Sequence, residues 1–286
     1  TGGHRVRRLV RGRPEAGDIA WAPGQGEMDM IALEGVDAVV HLAGAPIAEG
    51  RWTEERKELI RRSRVEGTRV LCESLARLAR PPKVLVSASA MGFYGSRGDE
   101  VLTESSPPGQ GFLADVTREW EAATAPAEQA GIRVVHLRLG VVLSAKGGAL
   151  AKMLPAFQAG AGGRIGDGQQ WMSWVSLEDV IGLVHHALFT PGLRGPVNAV
   201  APQAVRQEEL ARTLGQVLSR PAVMPLPAAA VRAAFGEMGQ ETLLLSSRIR
   251  PEVAERQGFT FLHPTLEQTL RFTLGKTSEG PRFRHG

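Results

Sequence analysis

The sequence predicts an α/β fold: a Rossmann-type, doubly wound parallel sheet with a smaller, mainly helical C-terminal lobe. Three observations carry this. Strand-like and helix-like segments alternate regularly up to about residue 200, the order that a parallel sheet with crossover helices requires. The strand-like segments include near-continuous apolar runs such as Ala38-Val-Val-His-Leu42, which suit strands buried on both faces. After Pro221 the chain becomes rich in proline and alanine and then helical, the composition of a lobe packed on the sheet domain.

Taken in order, the chain opens on Thr1, not a start methionine, and a Gly-Gly turn leads into a strand over 5–10. Further strands are expected over 18–21 and 38–42, the latter ending in Ala43-Gly44-Ala45-Pro46. Thr53 can cap a long helix reaching to about 78, with Glu54 and Glu55 matched to the positive end of its dipole. Its inner stripe reads Leu59 or Ile60, Ser63, Gly67, Leu71, Leu75, Leu78, and the small residues at 63 and 67 would let it approach a sheet closely. A strand over 83–87, a helix over 112–129 and a strand within 131–143 follow. Helices are expected near 148–158, 176–188 and 207–218, with a strand near 197–200 before the last. The remainder reads as helical around 231–246, a short apolar element at 259–262, a helix over 264–274 and a loose tail from Lys276. This gives a Rossmann-like domain over 1–220, with substrate-lobe segments within 145–180, and a C-terminal lobe over 221–286.

Bulk composition narrows the class. With 286 residues, 43% apolar and 22% charged, the chain can bury a sizeable core. No apolar run approaches the roughly 20 residues that cross a bilayer, and no signal-peptide core is visible. A lone cysteine, Cys72, cannot form an internal disulfide, which suits a reducing cytoplasm or an organelle matrix; the cytoplasm is the expected location. The net charge of +4 comes mostly from arginines that alternate with glutamates, as in Glu54-Glu-Arg-Lys-Glu58. Such alternation marks solvated helix faces, and no aromatic residues are interleaved for a nucleic-acid groove. Neither nucleic acid nor membrane is an expected partner. The histidines are scattered without ligand spacing, so no metal site is expected. No Gly-x-Ser-x-Gly turn suggests a hydrolase.

Strand ends are where ligands bind in open parallel sheets, and three of them carry unusual sequence. Val10-Arg11-Gly12-Arg13 offers an arginine where an acidic residue would bind a ribose 2′-hydroxyl; a guanidinium there pairs with a 2′-phosphate. Spacing alone equally allows a solvated loop arginine. In the second, His41-Leu-Ala-Gly-Ala-Pro46, small residues would let the backbone pass close to an adenine or ribose. The third, Ser87-Ala-Ser-Ala-Met-Gly-Phe-Tyr-Gly95, holds two serines and the only tyrosine of the chain, Tyr94. A serine here could hydrogen-bond a carbonyl and the phenol could exchange a proton; a packed or pocket-lining phenol is the alternative. Four residues after Tyr94 stands Gly98, and no Tyr-x-x-x-Lys pair exists anywhere in the sequence.

In this order and spacing the three segments resemble the extended short-chain dehydrogenase/reductase superfamily, which includes the nucleotide-sugar epimerases. Arg51-Trp-Thr-Glu-Glu-Arg-Lys57, Ser63-Arg-Val-Glu-Gly-Thr68, Gly95-x-Arg-Gly-Asp-Glu-x-Leu-Thr-Glu104, Gly147-Gly-Ala-Leu-x-Lys-Met-Leu-Pro155 and Gly168-x-Gln-Trp-Met-Ser-Trp174 narrow the likeness to the YfcH-type epimerase family proteins, an atypical subgroup. The resemblance spans essentially the whole chain. It implies an NADP(H)-binding oxidoreductase or epimerase-like enzyme, monomeric or homodimeric, whose C-terminal lobe closes over a small polar, possibly nucleotide-linked, substrate. The alternative is a non-catalytic NADP(H)-binding regulatory protein.

Carried onto this sequence, the resemblance matches Arg11 to the 2′-phosphate and Leu42, Ala43, Gly44 and Ser87 to the cofactor. Arg138, Gly140 and Val141 fall in the segment that passes the nicotinamide. Ser89 matches the active-site serine, with Tyr94 as a candidate proton carrier beside it, and Arg51 and Trp174 are the expected substrate-side residues. Two departures stand out. The superfamily's Tyr-x-x-x-Lys helix aligns with Phe112-Leu-Ala-Asp-Val116, so Phe112, Val116 and Trp120 at i, i+4, i+8 make an apolar wall where a catalytic face would be. The family's first strand and glycine-rich loop would precede Thr1; without that strand two neighbours in the sheet are expected to be unpaired, and tight NADP binding would need it.

Overall fold

The structure is a computed structural model that describes residues 3–25 and 27–276. The expected tail falls almost wholly outside the described residues. In chain order the elements are β1 (Leu9–Val10), β2 (Ile19–Ala22), β3 (Glu27–Met28), α1 (Met30–Leu33), β4 (Ala38–His41), α2 (Glu54–Ala76), β5 (Val84–Ala90), β6 (Val101–Leu102), α3 (Phe112–Ala122), α4 (Ala125–Gln129), β7 (Arg133–Leu139) and β8 (Val141–Leu143). The second half adds α5 (Gly148–Gln158), β9 (Trp171–Met172), β10 (Trp174–Ser176), α6 (Leu177–Phe189), β11 (Gly195–Ala199), β12 (Val205–Arg206), α7 (Gln207–Leu218), α8 (Ala228–Phe235), α9 (Glu237–Thr242), β13 (Arg248–Ile249), α10 (Glu252–Arg256) and α11 (Leu266–Thr273).

The central sheet is parallel throughout, in the order β11-β7-β5-β4. Alternation along β5 sends Leu85 into a core with Leu71 and Leu75 of α2 and Ala127 of α4. Val84 and Val86 face Leu183 and Ala187 of α6 on the other side. Helices therefore cover both faces, the doubly wound plan the sequence predicts. β1, β2 and β3 form a separate small sheet, and no hydrogen bonds join β1 to β4. β4 is thus an edge strand; its Val40 is 39% exposed, and Leu42, just past its end, is 60% exposed.

Local chemistry explains most boundaries. Thr53 caps α2, its Oγ1 accepting from Arg56 N at 3.2 Å, and the buried stripe takes Ile60 rather than Leu59. The helix expected over 112–129 divides into α3 and α4, where Pro126 falls in the first turn of the second piece and cannot supply an N–H to continue the first. The expected strand within 131–143 breaks at Gly140. A Cβ there would lie 2.8 Å from Ser173 O and from Val200 Cγ1, so glycine lets the chain leave the central sheet and pair β8 with β10. The helical stretch expected over 231–246 likewise divides at Gly236, whose φ of 59° favours glycine. The segment at 259–262 is not a strand. A further core unites Leu143, Leu150, Trp174, Leu210 and Leu214 with Leu266 and Leu270 of α11, so residues on both sides of position 220 build it.

Candidate functional site

Where β1 and β4 end, a cleft of about 390 Å³ opens between the two sheets and α2. Arg11, Ala43 and Gly44, three of the residues expected at a cofactor, line it together. Leu42 is exposed on the same loop. Sequence reasoning missed Trp21 and Arg62, which also line the cleft, and gave Ser63 and Gly67 a packing role only. Gly67 stands against Trp21, whose Cζ2 would lie 3.9 Å from an added Cβ. Ser63 fixes the loop that ends β4, its Oγ accepting from Ala45 N at 3.0 Å. Trp21 is 6% exposed, and its indole Nε1 is buried without a hydrogen-bond partner, an orphan donor carried by a residue of the cleft wall.

The other expected site residues are drawn into the interior. On the face of the sheet that meets α2 and α3, parallel register places His41, Ser87 and His136 in one row. Ser89, Arg138 and Asn198 form the next. The residues of both rows are buried. His41 Nε2 lies 2.9 Å from Thr68 Oγ1, which also accepts from Trp120 Nε1; burial pushes the His41 pKa down to about 4. Ser87 Oγ donates to Ala88 O.

The second row is a closed network. Arg138 Nε and Nη2 each donate at 2.8 Å to Glu121, and its Nη1 donates to the Tyr94 hydroxyl at 2.9 Å. The Tyr94 hydroxyl donates to Asn198 Oδ1 at 2.7 Å. Ser89 Oγ donates to Glu121 Oε1 at 2.5 Å, and Glu104 Oε1 accepts from the backbone N–H of Asn198 and of Val253. The Phe93 ring lies 3.5 Å from the Arg138 guanidinium carbon. Burial alone would raise the Glu121 carboxyl, but hydrogen bonds from Arg138, its charge and the Ser89 hydroxyl outweigh that and hold it below the ordinary carboxylate range. Burial pushes the Tyr94 phenol up despite Arg138 and Asn198.

These contacts correct several expectations. Tyr94 is 0% exposed and both sides of its hydroxyl are used, so its phenol does not meet a cleft as a proton carrier. The short helical turn Met91–Tyr94 after β5 is what rotates it inward. Ser89 is 1% exposed with its proton committed to Glu121, and Arg138 is a buried structural cation rather than a cleft-lining one. Gly140 and Val141 are partly buried at the β7–β8 break, outside the cleft lining. Trp174 is fully buried in the core with α5, α7 and α11, on a strand whose three residues are all buried. Arg51 is exposed and spends its Nη2 on Ala233 O of the C-terminal segment at 2.8 Å.

The aligned helix α3 begins at a junction with that segment. Glu241 accepts from Phe112 N and Leu113 N, each at 2.8 Å, so a carboxylate from α9 caps the positive end of α3. Gly111, with φ of 112°, leaves room for it: an added Cβ would lie 2.8 Å from Glu241 Oε1. Phe112 packs on Trp52 and lies under Lys57, which pairs with Glu237 at 3.0 Å. A second cleft of about 250 Å³ opens here, lined by Gly92, Gln110, Glu237 and Gln240 among others. Among the described residues no group of three or more His, Cys, Asp or Glu side chains could hold a metal, and no helix is long and apolar enough to cross a membrane.

Comparison with known proteins agrees with this fold. Residues 22–197 match the NAD dependent epimerase/dehydratase family, and residues 226–273 match a domain of unknown function, DUF1731. An epimerase family protein of Mycobacterium bovis, Mb2239, is 44% identical over 270 residues, covering 94% of this chain and 89% of that protein. The human epimerase family protein SDR39U1 is 35% identical over 273 residues, covering 94% and 91%. Its crystal structure, described as isoform 2 with NADPH, superposes with a TM-score of 0.82 at 33% identity, over 86% of this chain and 84% of that one. A nucleoside-diphosphate sugar epimerase from Corynebacterium glutamicum gives a TM-score of 0.76 at 37% identity, over 96% of this chain and 54% of that one.

Proposed function

The chain belongs to the NAD dependent epimerase/dehydratase family, and we propose that it is an NADP(H)-dependent oxidoreductase or nucleotide-sugar-epimerase-like enzyme of a reducing compartment such as the cytoplasm. The observation that carries this reading is the convergence of Arg11 with Ala43 and Gly44 on one cleft at the ends of two parallel strands. A guanidinium at the end of β1 pairs with a phosphate on the adenosine ribose. The small residues at the end of β4 let a dinucleotide lie close to the backbone.

When bound, the nicotinamide supplies hydride chemistry; the residues of this chain bind and orient it. Ser63 holds the Ala45 peptide and so the position of the loop. The cleft at the start of α3, closed by α9, is where we place a small polar substrate, since its lining of Gln110, Gln240 and Glu237 offers donors and acceptors. The human relative described with NADPH supports NADP(H) over NAD.

The test is a pair of titrations with NADPH and NADH. The wild-type protein should prefer NADPH, and Arg11→Ala should lose about 10- to 100-fold in NADPH affinity, the worth of a charge-assisted phosphate contact, with NADH unaffected. Unchanged affinities for both would sink the assignment. Turnover is read as loss of nicotinamide absorbance against a panel of carbonyl substrates.

A further inference from the structure

The cleft at the start of α3 opens beside the N–H groups that a helix leaves unpaired, an end that ordinarily favours an anion. Here the protein has filled that position itself. The two oxygens of Glu241 accept from Phe112 N and Leu113 N, each at 2.8 Å. Glu237, the other carboxylate of the lining, is paired with Lys57 at 3.0 Å. Among the described residues no lysine or arginine lines the cleft. The basic side chains beside it are committed elsewhere. Lys57 lies between Glu237 and Glu54, and Arg97, next in sequence to the lining residue Ser96, donates from Nε and Nη2 to Glu100 at 2.9 and 2.8 Å.

What the cleft still offers a ligand is uncharged. Gln110 and Gln240 are exposed at its lining, and each amide brings both donors and an acceptor. Among the described residues neither amide has a protein partner. Ser96 Oγ accepts from Ser246 N at 3.2 Å, which leaves its own proton to donate. Leu113, Ala114 and Leu245 add apolar surface. Gly95 lets the wall close up at Gln110, since a Cβ there would lie 2.8 Å from Gln110 O. Amides beside a small apolar face suit a compound whose hydroxyls alternate with C–H groups. A phosphate entering here would leave water for a site with two carboxylates and no cation in its lining, and a charge removed from water without a partner is costly. The volume of about 250 Å³ also lies below the roughly 300–1,000 Å³ of sites that enclose drug-sized ligands.

We infer that this cleft selects an uncharged polyhydroxylated compound, a free sugar or sugar alcohol, over a nucleoside diphosphate, with Gln110 and Gln240 holding hydroxyls and Glu241 setting the charge selection. This rests on the placement of the substrate at this cleft proposed above. Glu241 does two things through one contact: it caps α3, and it denies the positive end of that helix to a phosphate.

The experiment titrates the full chain with D-glucose, D-glucitol and UDP in excess NADP+, read by ligand-observed NMR. The sugar or the sugar alcohol should bind more tightly than UDP. Gln110→Ala and Gln240→Ala should each weaken it by about twofold to tenfold, the worth of one neutral hydrogen bond, with the thermal midpoint unchanged because both side chains are exposed. Glu241→Ala, assayed below its own thermal midpoint, should strengthen UDP binding by about threefold as the helix end is uncovered. UDP that binds without regard to either glutamine, while the sugar responds to both, sits elsewhere and upholds the assignment. UDP bound more tightly than the sugars and weakened by the glutamine variants overturns the charge selection and leaves the placement standing. Affinities for every probe that ignore both variants overturn placement and selection together, and failure of both glucose and glucitol to bind overturns the selection. The NADPH titration with Arg11→Ala decides the cofactor reading separately.

Discussion

Tyr94→Phe separates two roles that its sequence position leaves open. Removing the hydroxyl strands two buried groups, Arg138 Nη1 and Asn198 Oδ1, neither of which has another partner. Each unsatisfied buried group costs about 1–3 kcal/mol, and the slightly greater apolarity of phenylalanine offsets a fraction of it. The expected loss is therefore about 2–4 kcal/mol. With a urea slope of about 3 kcal/mol/M the midpoint should fall by about 1 M. The phenol itself gives a second readout. Tyr94 is the only tyrosine, so phenolate absorbance reports it alone, and burial has raised its pKa above the ordinary 10.0. The unfolded chain releases this proton first, so the contribution to stability is present below pH 10 and falls as pH rises beyond it. A variant that keeps the wild-type midpoint but loses all turnover would refute this reasoning and restore Tyr94 as the proton carrier.

Glu241→Ala should cost about 1–2 kcal/mol by uncovering two N–H groups at the start of α3, seen as a lower thermal midpoint, and Gly111→Ala should cost more because its Cβ meets Glu241 Oε1. Equal midpoints for Glu241→Ala and wild type would remove α9 as the cap. Lowering pH from the ordinary histidine value of 6.5 to the value of about 4 in the folded chain should weaken the protein through His41. In that window the unfolded chain binds the extra proton, so the stability present above pH 6.5 is lost on acidification, by about 3 kcal/mol in all. His136 is shifted the same way by burial. His41→Gln should flatten the decline; an unaltered pH profile would contradict the assignment.

What could be read from the sequence was local. Arg11, Ala43 and Gly44 were legible because a parallel strand ends at its ligand-binding edge, and a basic residue or a glycine just past an apolar run marks that edge. Thr53 and its two glutamates announced α2 for the same reason: a cap and its dipole partners lie within one turn. Pro126 and Gly236 were equally local signals for the breaks after α3 and α8, but helical periodicity on either side masks a single breaker.

The fate of Tyr94 was of another kind. Its hydroxyl is claimed by Asn198, a residue 104 positions away, and by Arg138, which Glu121 holds from a third element. No spacing rule connects them; only the register of β5, β7 and β11 does, by placing Ser89, Arg138 and Asn198 side by side. A residue type promises chemistry only if its polar atom reaches solvent or ligand. Here one short helical turn after β5 converts the only phenol into a clamp between strands.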